Sequence, residues 1–579
     1  MDFFQLLMRF MVHMKLFAVV DGPEKKYSLT PVSKLLVRAE EKNLVSFAWI
    51  QLQAEPMLLW EHLIAGIEGE TPPWLVAYKG VPCYEWIGKD PEYNKLFNDA
   101  MINHSSLAVP ALVQGCAKEG VLEGVRTLAI ISAFPHVKCT AMDFAHVLES
   151  GPKTPYDDDD SIKILSKCRE AIPPKGGKLI IVEIVLELER DGTPELAGSR
   201  LWMDLGMGLI GGKERTEDEW KNLLTKADMD SMKNDLITLA MDEEIQGQAQ
   251  IWKHIYGFAE SLTLKCAIEL GVPDIIHKHG KPMTLSEIAG ELTIPSPNMD
   301  RFHRIMRFLV HMKLFTVSDG PEMKYALTPA SKLLVRAEEK NLVSFALIQL
   351  HADEMLPWHY LIAGIEGETT PWLASHNGVP YYDRVGKDPE YNKLHNDAMT
   401  SHTSFVVSAL VQGCAKEGVL DGVRSLVDVG GSTGVASKAI TNAFPHVKCT
   451  VMDFAHVVDA VPKDPKVDFV AGDVFDSVPK ADASFLHGFD DDDSIKILNK
   501  CREAIPAKGG KLIIVEIVVD IDGTLEFARP RLCMDLELGM FGGKERTKDE
   551  WKNLLTKAGF GNYKIIPMAV NEAIIEAYP

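Results

Sequence analysis

A long internal repeat constrains the fold of this chain more than any other feature of its 579 residues. The segment SKLLVRAEEKNLVSFA at positions 33–48 returns unchanged at 331–346, and ALVQGCAKEGVL at 111–122 returns at 409–420. Both pairs are 298 positions apart, whereas solenoid units repeat every roughly 20 to 50 residues. The spacing therefore predicts two copies of a whole protein in tandem, with the second copy beginning near Met229.

The charge balance excludes some classes of partner. Lys and Arg number 61 against 82 Asp and Glu, and the net charge of −21 opposes binding to nucleic acids or anionic membranes. The nine cysteines form no CxxC pair and have no zinc-type spacing, which predicts reduced thiols in a cytoplasmic protein. No run of about 18 uncharged apolar residues is present, so no membrane span is expected.

Two runs of four aspartates, at 157–160 and 490–493, could suggest a metal site. Consecutive acids are more simply explained as helix starts, because the helix dipole stabilises negative charge at an N-terminus. We therefore predict a helix at each run and no metal.

The second copy divides into a helical half and an alternating half. From Glu243 to about Met399 the pattern is helical, and Thr284 with Glu287 three residues later forms a capping box. The segments MDRFHRIMRFLVHMKLFTV and KYALTPASKLLV are typical of a helix and β-wing. Because the chain is acidic, packing or dimerisation is favoured over DNA binding. After about Val419 strands alternate with helices, which predicts an α/β fold with a doubly wound, mostly parallel sheet.

A glycine-rich turn follows the first of these strands. The sequence DVGGSTG ends at Gly434 and precedes a helix expected to begin at Ser432 or Thr433; such a turn lets a ligand approach the backbone. Asp453 follows 19 residues after Gly434, at the end of the next strand, and suits ribose hydroxyls. The pattern fits NAD or an adenosyl ligand such as S-adenosylmethionine (SAM), and a turn without a ligand is the alternative. Ser432 in place of the second glycine of GxGxxG disfavours the dinucleotide.

Further polar residues lie near the ends of the later strands. Asp473 follows the third strand, His487 ends the fourth and Glu516 ends the fifth, while Glu545 lies just before a later helix. A histidine beside carboxylates suits removal of a phenol proton, because the phenol pKa is about 10 and the imidazole pKa about 6.5. From spacing alone, structural roles for these residues stay open.

These motifs together resemble the plant SAM-dependent O-methyltransferases of small phenols, the class with caffeic acid, isoflavone and resveratrol methyltransferases. The matching segments are KHIYGFAESLTLKCAIELGVPDII, DPEYNKLHNDAM, LVDVGGSTG, MDFAHVV, GGKLIIVE, GGKERTKDEW and IIEAYP. The resemblance covers nearly all of residues 229–579 and, with gaps, 1–228. It implies a helical, winged-helix-like dimerisation domain followed by a Rossmann-like methyltransferase domain, with this pair duplicated in tandem.

The resemblance implies the cofactor and the residues that bind it. The cofactor is SAM. The implied cofactor residues are Gly430, Asp453, Asp473 and Val474. Among them Asp453 would bind the ribose hydroxyls, and Asp473 and Val474 would lie beside the adenine.

Catalytic and substrate residues also follow from the resemblance. His487 is the implied base that removes the proton of the acceptor hydroxyl, and Glu516 and Glu545 position it. Met399 and Leu538 are implied contacts of the substrate. The expected reaction transfers a methyl group from SAM to a hydroxyl of a phenolic small molecule, such as a flavonoid, isoflavonoid, stilbene or phenylpropanoid.

The repeat predicts four domains. Residues 1–110 and 229–405 are the expected dimerisation domains, and residues 111–228 and 406–579 are the expected methyltransferase domains. We expect self-association through the helical domains, either as a homodimer or as a pseudo-dimer within one chain.

The first copy lacks parts of the predicted site. It is shorter than the second by about 70, 12 and 23 residues in three places. The second gap removes the counterpart of the glycine turn, and the third removes the counterparts of Asp473 and His487. Asp143, Glu183 and Glu214 remain, and without a cofactor turn or a base we predict that this copy is non-catalytic.

The second copy departs from the family pattern just before His487. Its strand is about four residues shorter than the family's Leu-Lys-aromatic-x-Leu-His-Asp/Asn-Trp, and Gly488 and Phe489 follow the histidine. Each lost strand residue removes about 3.3 Å of reach, so a compensating shift must return His487 to the edge of the sheet. Two alternatives stay open: a non-catalytic dimerising scaffold and, less favoured, an NAD-dependent oxidoreductase.

Overall fold

The computed structural model contains two compact units, each with residues from both copies. One unit is Met1–Met14 with Lys340–Pro579, and the other is Lys15–Glu339. The first copy's N-terminal segment therefore groups with the second copy's later part. The structure describes residues 3–20, 25–40, 43–53, 59–69, 71–118, 158–172, 179, 181, 183–186, 194–229, 243–318, 322–460, 464–486, 491–520 and 527–579.

A seven-stranded sheet lies at the centre of the unit with residues 340–579. Its strands are β1 (Ser425–Val429), β2 (Lys448–Asp453), β3 (Val467–Ala471), β4 (Ala483–Leu486), β5 (Lys511–Ile517), β6 (Asn562–Pro567) and β7 (Glu572–Tyr578). Their order across the sheet is β6-β7-β5-β4-β1-β2-β3. Strands β1 to β5 pair in parallel, and β7 pairs antiparallel with β5 and β6. The sheet is the predicted doubly wound one, and β6 and β7 form an antiparallel hairpin at its edge.

Burial on both faces explains why the central strands are so apolar. In β5, Leu512 and Ile514 pack on one face of the sheet while Ile513 and Val515 pack on the other, as the alternation of a strand requires. Helices cover both faces, which is the usual setting of parallel strands. The apolar run of β5 therefore marks a strand that has no solvent-facing side.

Six helices carry the contacts that matter for the candidate site and its counterpart. They are α1 (Phe3–His13), α2 (Pro194–Leu209), α3 (Met299–His311), α4 (Pro389–Glu417), α5 (Val435–Ala443) and α6 (Ala528–Met540). The remaining helices of the unit with the large sheet are Val343–Gln349, Ala352–Met355, the 3-10 helix Leu356–Tyr360, Leu361–Glu366, Pro371–Ser375, Tyr381–Lys387, Ala455–Ala460, Asp491–Ala504 and Lys548–Lys557.

The unit of residues 15–339 contains two small antiparallel sheets. Phe17–Val20 pairs with Lys26–Leu29, and Lys324–Leu327 pairs with both Met283–Thr284 and Phe315–Val317. Its remaining helices are Pro31–Lys34, Val45–Gln51, Leu63–Glu68, Pro73–Ala77, Cys83–Lys89, Pro91–Lys118, Asp158–Ala171, Glu217–Lys226, Glu243–Ile255, Gly257–Glu269, Val272–His279, Leu285–Glu291 and Pro329–Lys332.

Several local predictions can be compared with these elements. Thr284 caps its helix and Glu287 completes the capping box, as predicted. The helices Asp158–Ala171 and Asp491–Ala504 begin in the two aspartate runs, as predicted. The expected start of α5 at Ser432 or Thr433 is wrong, because the chain turns through a left-handed Gly434 (φ 72°) before the helix begins.

The predicted domain boundaries at 110/111 and 405/406 both fall inside long helices. The first lies within Pro91–Lys118 and the second within α4. Each long helix thus belongs to both of the domains that it joins, and the four-domain division stays a prediction.

In each unit, a helix from one copy packs on a helix from the other copy. Helix α1 of the first copy packs on α6 of the second, and α3 of the second copy packs on α2 of the first. The repeat makes α1 the counterpart of α3, and α2 the counterpart of α6. The exchange is therefore reciprocal.

Candidate functional site

The glycine turn after β1 is shaped by a buried acid. Asp428, 2% exposed, accepts a hydrogen bond from the Ser437 hydroxyl at 2.7 Å. A Cβ at Gly431 would lie 2.5 to 2.8 Å from the Asp428 carboxyl group, closer than real Cβ contacts come. Gly430 has φ 70°, and Ser432 has φ 48°, a left-handed conformation that is uncommon outside glycine. The turn thus depends on glycine, as a close backbone approach to a ligand would.

Asp453 at the end of β2 is tied to this turn. Its Oδ2 accepts a hydrogen bond from the Ser432 N–H at 2.9 Å, and its Oδ1 accepts one from the Phe454 N–H at 2.8 Å. A carboxylate offers about four lone-pair positions, so these two bonds leave acceptor capacity for the hydroxyls of a ribose. The residue fits an adenosyl ligand.

Asp473 follows β3 beside Asp453. The Gly472 N–H donates to the Asp453 carbonyl at 3.0 Å, and Asp473 Oδ1 accepts from the Phe475 N–H at 2.9 Å. Val474 is half-buried and packs against the core cluster under the sheet. The structure thus brings the predicted cofactor residues to one edge of the sheet, the carboxyl edge of β1 to β3.

The register of β4 shows how far along the sheet the strand extends before the predicted base, His487. Its last residue, Leu486, pairs with Val429 of β1 and with Ile514 of β5. The strand therefore ends level with the residue that precedes Gly430, although it is shorter than the family pattern. His487 itself lies outside the described residues.

The two predicted positioning carboxylates come to the same edge. Glu516 is near the end of β5 and is 9% exposed. Val518, two residues later, forms a parallel bridge with Arg546, the residue after Glu545. The Glu545 N–H donates to Asp535 Oδ1 at 2.9 Å, which fixes this segment to α6.

The first copy retains a counterpart of this acid pair. Val185 bridges Arg215 as Val518 bridges Arg546. Burial, followed by the charges of Glu183 and Asp204, raises the pKa of Glu214 to about 7. The negative charge of Glu183 thus contributes to the raised pKa of Glu214. The third residue expected in this copy, Asp143, lies outside the described residues.

The two predicted substrate contacts are accessible. Met399 on α4 is 39% exposed, and Leu538 on α6 is 38% exposed. Gly543 packs beneath Leu538, since a Cβ there would lie 2.7 Å from Leu538 Cγ. Both side chains are therefore available to an apolar ligand.

Two kinds of residue near the candidate site were not predicted from the sequence: aromatic residues beside the cofactor acids, and a buried aspartate bonded to Glu545. Phe454 and Phe475 are exposed aromatic residues that follow Asp453 directly and Asp473 by two positions. An aromatic residue after a strand-end acid was the signal that could have found them. Asp535, 1% exposed and bonded to the Glu545 N–H, had no local signal, because its role depends on contacts across the fold.

The described ranges contain neither a candidate metal-binding cluster nor a candidate membrane-spanning helix. No group of His, Cys, Asp and Glu in them is arranged to hold a metal ion. None of the helices described is long and apolar enough to cross a membrane.

The strand order, the glycine turn and the strand-end acids define a Rossmann-like methyltransferase class, and comparison with known proteins gives the family. The O-methyltransferase domain matches residues 60–155, 154–230 and 358–561, and the O-methyltransferase dimerisation domain matches residues 252–337. The chain belongs to the plant O-methyltransferase family, and the methyltransferase domain is matched in both halves, by two adjoining segments in the first and one segment in the second. The predicted tandem duplication is thereby confirmed.

Individual relatives cover one copy of the repeat. Columbamine O-methyltransferase of Coptis japonica is 50% identical over 348 residues, 59% of this chain and 98% of that protein. Trans-resveratrol di-O-methyltransferase of Vitis vinifera is 40% identical over 350 residues, 58% of this chain and 97% of that protein. The structure of CalO1, a methyltransferase in calicheamicin biosynthesis in SAH-bound form, has a TM-score of 0.51 at 23% identity and covers 59% of this chain and 100% of its own, which shows the fold.

These matches confirm the predicted fold, family and cofactor. The chain is a SAM-dependent O-methyltransferase. The roles of its individual residues stay predictions.

Replacing Gly431 with alanine should weaken SAM binding between about 5-fold and 140-fold. The new Cβ would meet the Asp428 carboxyl group at 2.5 to 2.8 Å, and overpacking costs about 1 to 3 kcal/mol, or about tenfold per 1.4 kcal/mol. Equilibrium dialysis with labelled SAM measures the effect. Gly386→Ala, where a Cβ meets nothing within 4 Å, is the matched control. Unchanged affinity in Gly431→Ala would contradict the assigned turn.

Replacing Glu214 with glutamine should stabilise the protein at alkaline pH. The raised pKa of about 7 means that folding stability is lost as pH rises from about 4.5 through 7, since the folded state holds the proton more tightly. The gain should be on the order of 1 kcal/mol at pH 8, after allowance for partial exposure, and should vanish near pH 4. Thermal unfolding at both pH values measures it, with exposed Glu92→Gln as the control. A gain equal at both pH values would exclude this cause.

Proposed function

We propose that the second copy performs the reaction, transferring the methyl group of SAM to a hydroxyl of a phenolic small molecule. The observation that carries the proposal is that β1 and β4 end at the same height along the sheet, beside β5. Leu486 at the end of β4 pairs with Val429, which precedes the glycine turn, and β5 continues from the same level to Glu516. A cofactor at the turn and a base after β4 would therefore be neighbours.

Gly430, Asp453, Asp473 and Val474 are the proposed cofactor residues. Support comes from the turn, which tolerates no Cβ at Gly431, and from the remaining acceptor capacity of the Asp453 carboxylate. When bound, SAM supplies a methyl group that is already activated on a sulfonium centre. The protein then has two tasks, which are to align the acceptor oxygen and to remove its proton.

His487 is the proposed base. An imidazole with a pKa of about 6.5 takes a proton from a phenol of pKa about 10 efficiently only when the ring is oriented and its charged form is stabilised. Glu516 and Glu545 are proposed for this task, because both lie at the edge of the sheet that β4 reaches. Anionic side chains there favour the imidazolium that forms.

Met399 and Leu538 are the proposed apolar contacts of the acceptor, supported by their exposure on α4 and α6. Relatives named for columbamine and for trans-resveratrol share 50% and 40% identity with this chain. An apolar pocket separates related phenols by only about 1 to 3 kcal/mol, so several acceptors are expected to react. We propose columbamine as the first acceptor to test, followed by stilbenes and flavonoids.

The first copy is proposed to transfer no methyl group and to pair with the second copy within one chain. Helix α1 packs on α6 and α3 packs on α2, so each copy supplies a helix to the other. The exchange supports a pseudo-dimer within the chain over a homodimer. A cytoplasmic location is also proposed, supported by the free thiols of the seven cysteines whose side chains the structure describes.

A histidine variant tests the proposed chemistry. The purified full chain is assayed with SAM and with columbamine, trans-resveratrol and a flavonoid, and products are detected by mass. In His487→Ala, kcat should fall about 10² to 10⁴-fold, while SAM affinity stays the same.

The control is His446→Ala, which alters an exposed histidine of the same domain. An unchanged kcat in His487→Ala would remove His487 as the base. A wild-type chain that binds no SAM and methylates no phenol would instead favour the dimerising scaffold.

A further inference from the structure

The helix exchange joins the first copy to the proposed catalytic edge of the second. Arg9 on α1 forms an ion pair with Asp535 on α6, with Nη1 and Oδ2 2.9 Å apart. The Asp535 side chain is 1% exposed and that of Arg9 is 23% exposed. The other oxygen of Asp535 accepts the Glu545 N–H at 2.9 Å. A continuous path therefore runs from a first-copy guanidinium to the backbone of a proposed positioning residue.

The same path is built in the other unit. Arg307 on α3, the counterpart of Arg9, forms an ion pair with Asp204 on α2. Asp204 Oδ1 accepts the Glu214 N–H at 3.0 Å. In each copy, the aspartate that binds the N–H of Glu545 or Glu214 is therefore paired with an arginine from the opposite copy.

The remaining contacts of the two exchanged helices differ. Phe3 and Leu6 of α1 pack against Gly364 and Gly539, where an added Cβ would lie 2.7 to 3.3 Å from their side chains. At the same two positions α3 has arginines. The α1 face is thus apolar and fits the apolar cluster around Leu536.

The arginines of α3 bond to backbone oxygens. Arg301 Nη1 donates to the carbonyls of Gly66 and Gly69 at 2.8 and 2.9 Å, and Arg304 Nη1 donates to the carbonyl of Gly212 at 2.8 Å. Each exchanged helix is therefore matched to the opposite copy, and α1 suits the second copy's surface in a way that α3 does not.

We propose that Arg9 of the first copy is a positioning residue for the catalytic centre of the second copy, acting through Asp535 on the segment that carries Glu545. The inference rests on the proposed role of Glu545. It gives the non-catalytic first copy a function, because that copy supplies a cation that the second copy's own α3 directs to Asp204 instead.

Charge and burial explain how the contact works. Burial raises the pKa of Asp535, while Arg9 and the Glu545 N–H lower it; Glu550 adds a raising charge and Lys544 a lowering one. Helix α1 has Leu6 at the position where α3 has Arg304, so α1 offers no second arginine that could replace Arg9. Without Arg9 the buried carboxylate loses its closest compensating charge, and the hold on the Glu545 N–H weakens.

The test compares Arg9→Met with Arg307→Met. The second variant removes the equivalent ion pair to Asp204 of the first copy, which lacks a catalytic base. Arg9→Met should lower kcat about 10 to 100-fold and leave the KM for SAM within about twofold, since a misplacement near 1 Å costs rate on this scale. Arg9→Lys should recover much of the loss. Arg307→Met should leave kcat unchanged.

A double variant tests the route through Asp535. Asp535→Asn keeps an oxygen acceptor for the Glu545 N–H and removes the charge that Arg9 neutralises. Adding Arg9→Met to Asp535→Asn should therefore lower kcat no further than Asp535→Asn does alone. Independent, multiplying losses would overturn the proposal.

Hydrogen exchange of the Glu545 amide gives a readout that does not depend on activity. Protection should fall at least about tenfold in Arg9→Met, or in Arg9→Gln if the methionine variant does not fold, and should be unchanged in Arg307→Met. Unchanged protection together with unchanged kcat overturns the proposal. A wild-type chain without methyl transfer refutes the proposed function instead, and the exchange result still decides the Arg9 contact.

Discussion

The parallel pairing of β4 between β1 and β5 is the constraint on which the site depends. Asp482, just before β4, accepts the N–H groups of Arg424 and Ser425 at 2.9 and 3.0 Å, which ties the start of β4 to the start of β1. With its start fixed, four strand residues are enough to bring Leu486 level with Val429. The shortening relative to the family pattern therefore does not lower the end of the strand.

The first copy has lost one of two features of the family and kept the other. It has lost the groups that would bind the cofactor and react, and it has kept the helix that packs on the opposite copy. The first copy has lost the glycine turn and the base from its sequence, and it retains Glu183, Glu214 and the bonded Asp204. Its α1 also retains Arg9, which pairs with Asp535 of the second copy. Loss of the reacting groups without loss of the exchanged helix is what we expect if the first copy supports the reaction of the second.

The sequence predicted the elements of the large sheet and missed the partners across the fold. Apolar runs bounded by glycine marked β1 and β5, because strands buried on both faces have few polar positions. The start of α5 was misplaced, since the left-handed turn at Gly434 depends on packing against Phe469 and Val451 rather than on capping residues. The Arg9–Asp535 pair joins residues 526 positions apart, so no local pattern could reveal it.

The number of SAM molecules bound by each chain tests the central claim most directly. Isothermal titration of the full chain with SAM should give one site per chain, because the glycine turn and its acids are complete in the second copy and the turn has no counterpart in the first. Two equal sites would show that the first copy binds the cofactor without the turn. No binding would show that the carboxyl edge of β1 to β3 is not a cofactor site.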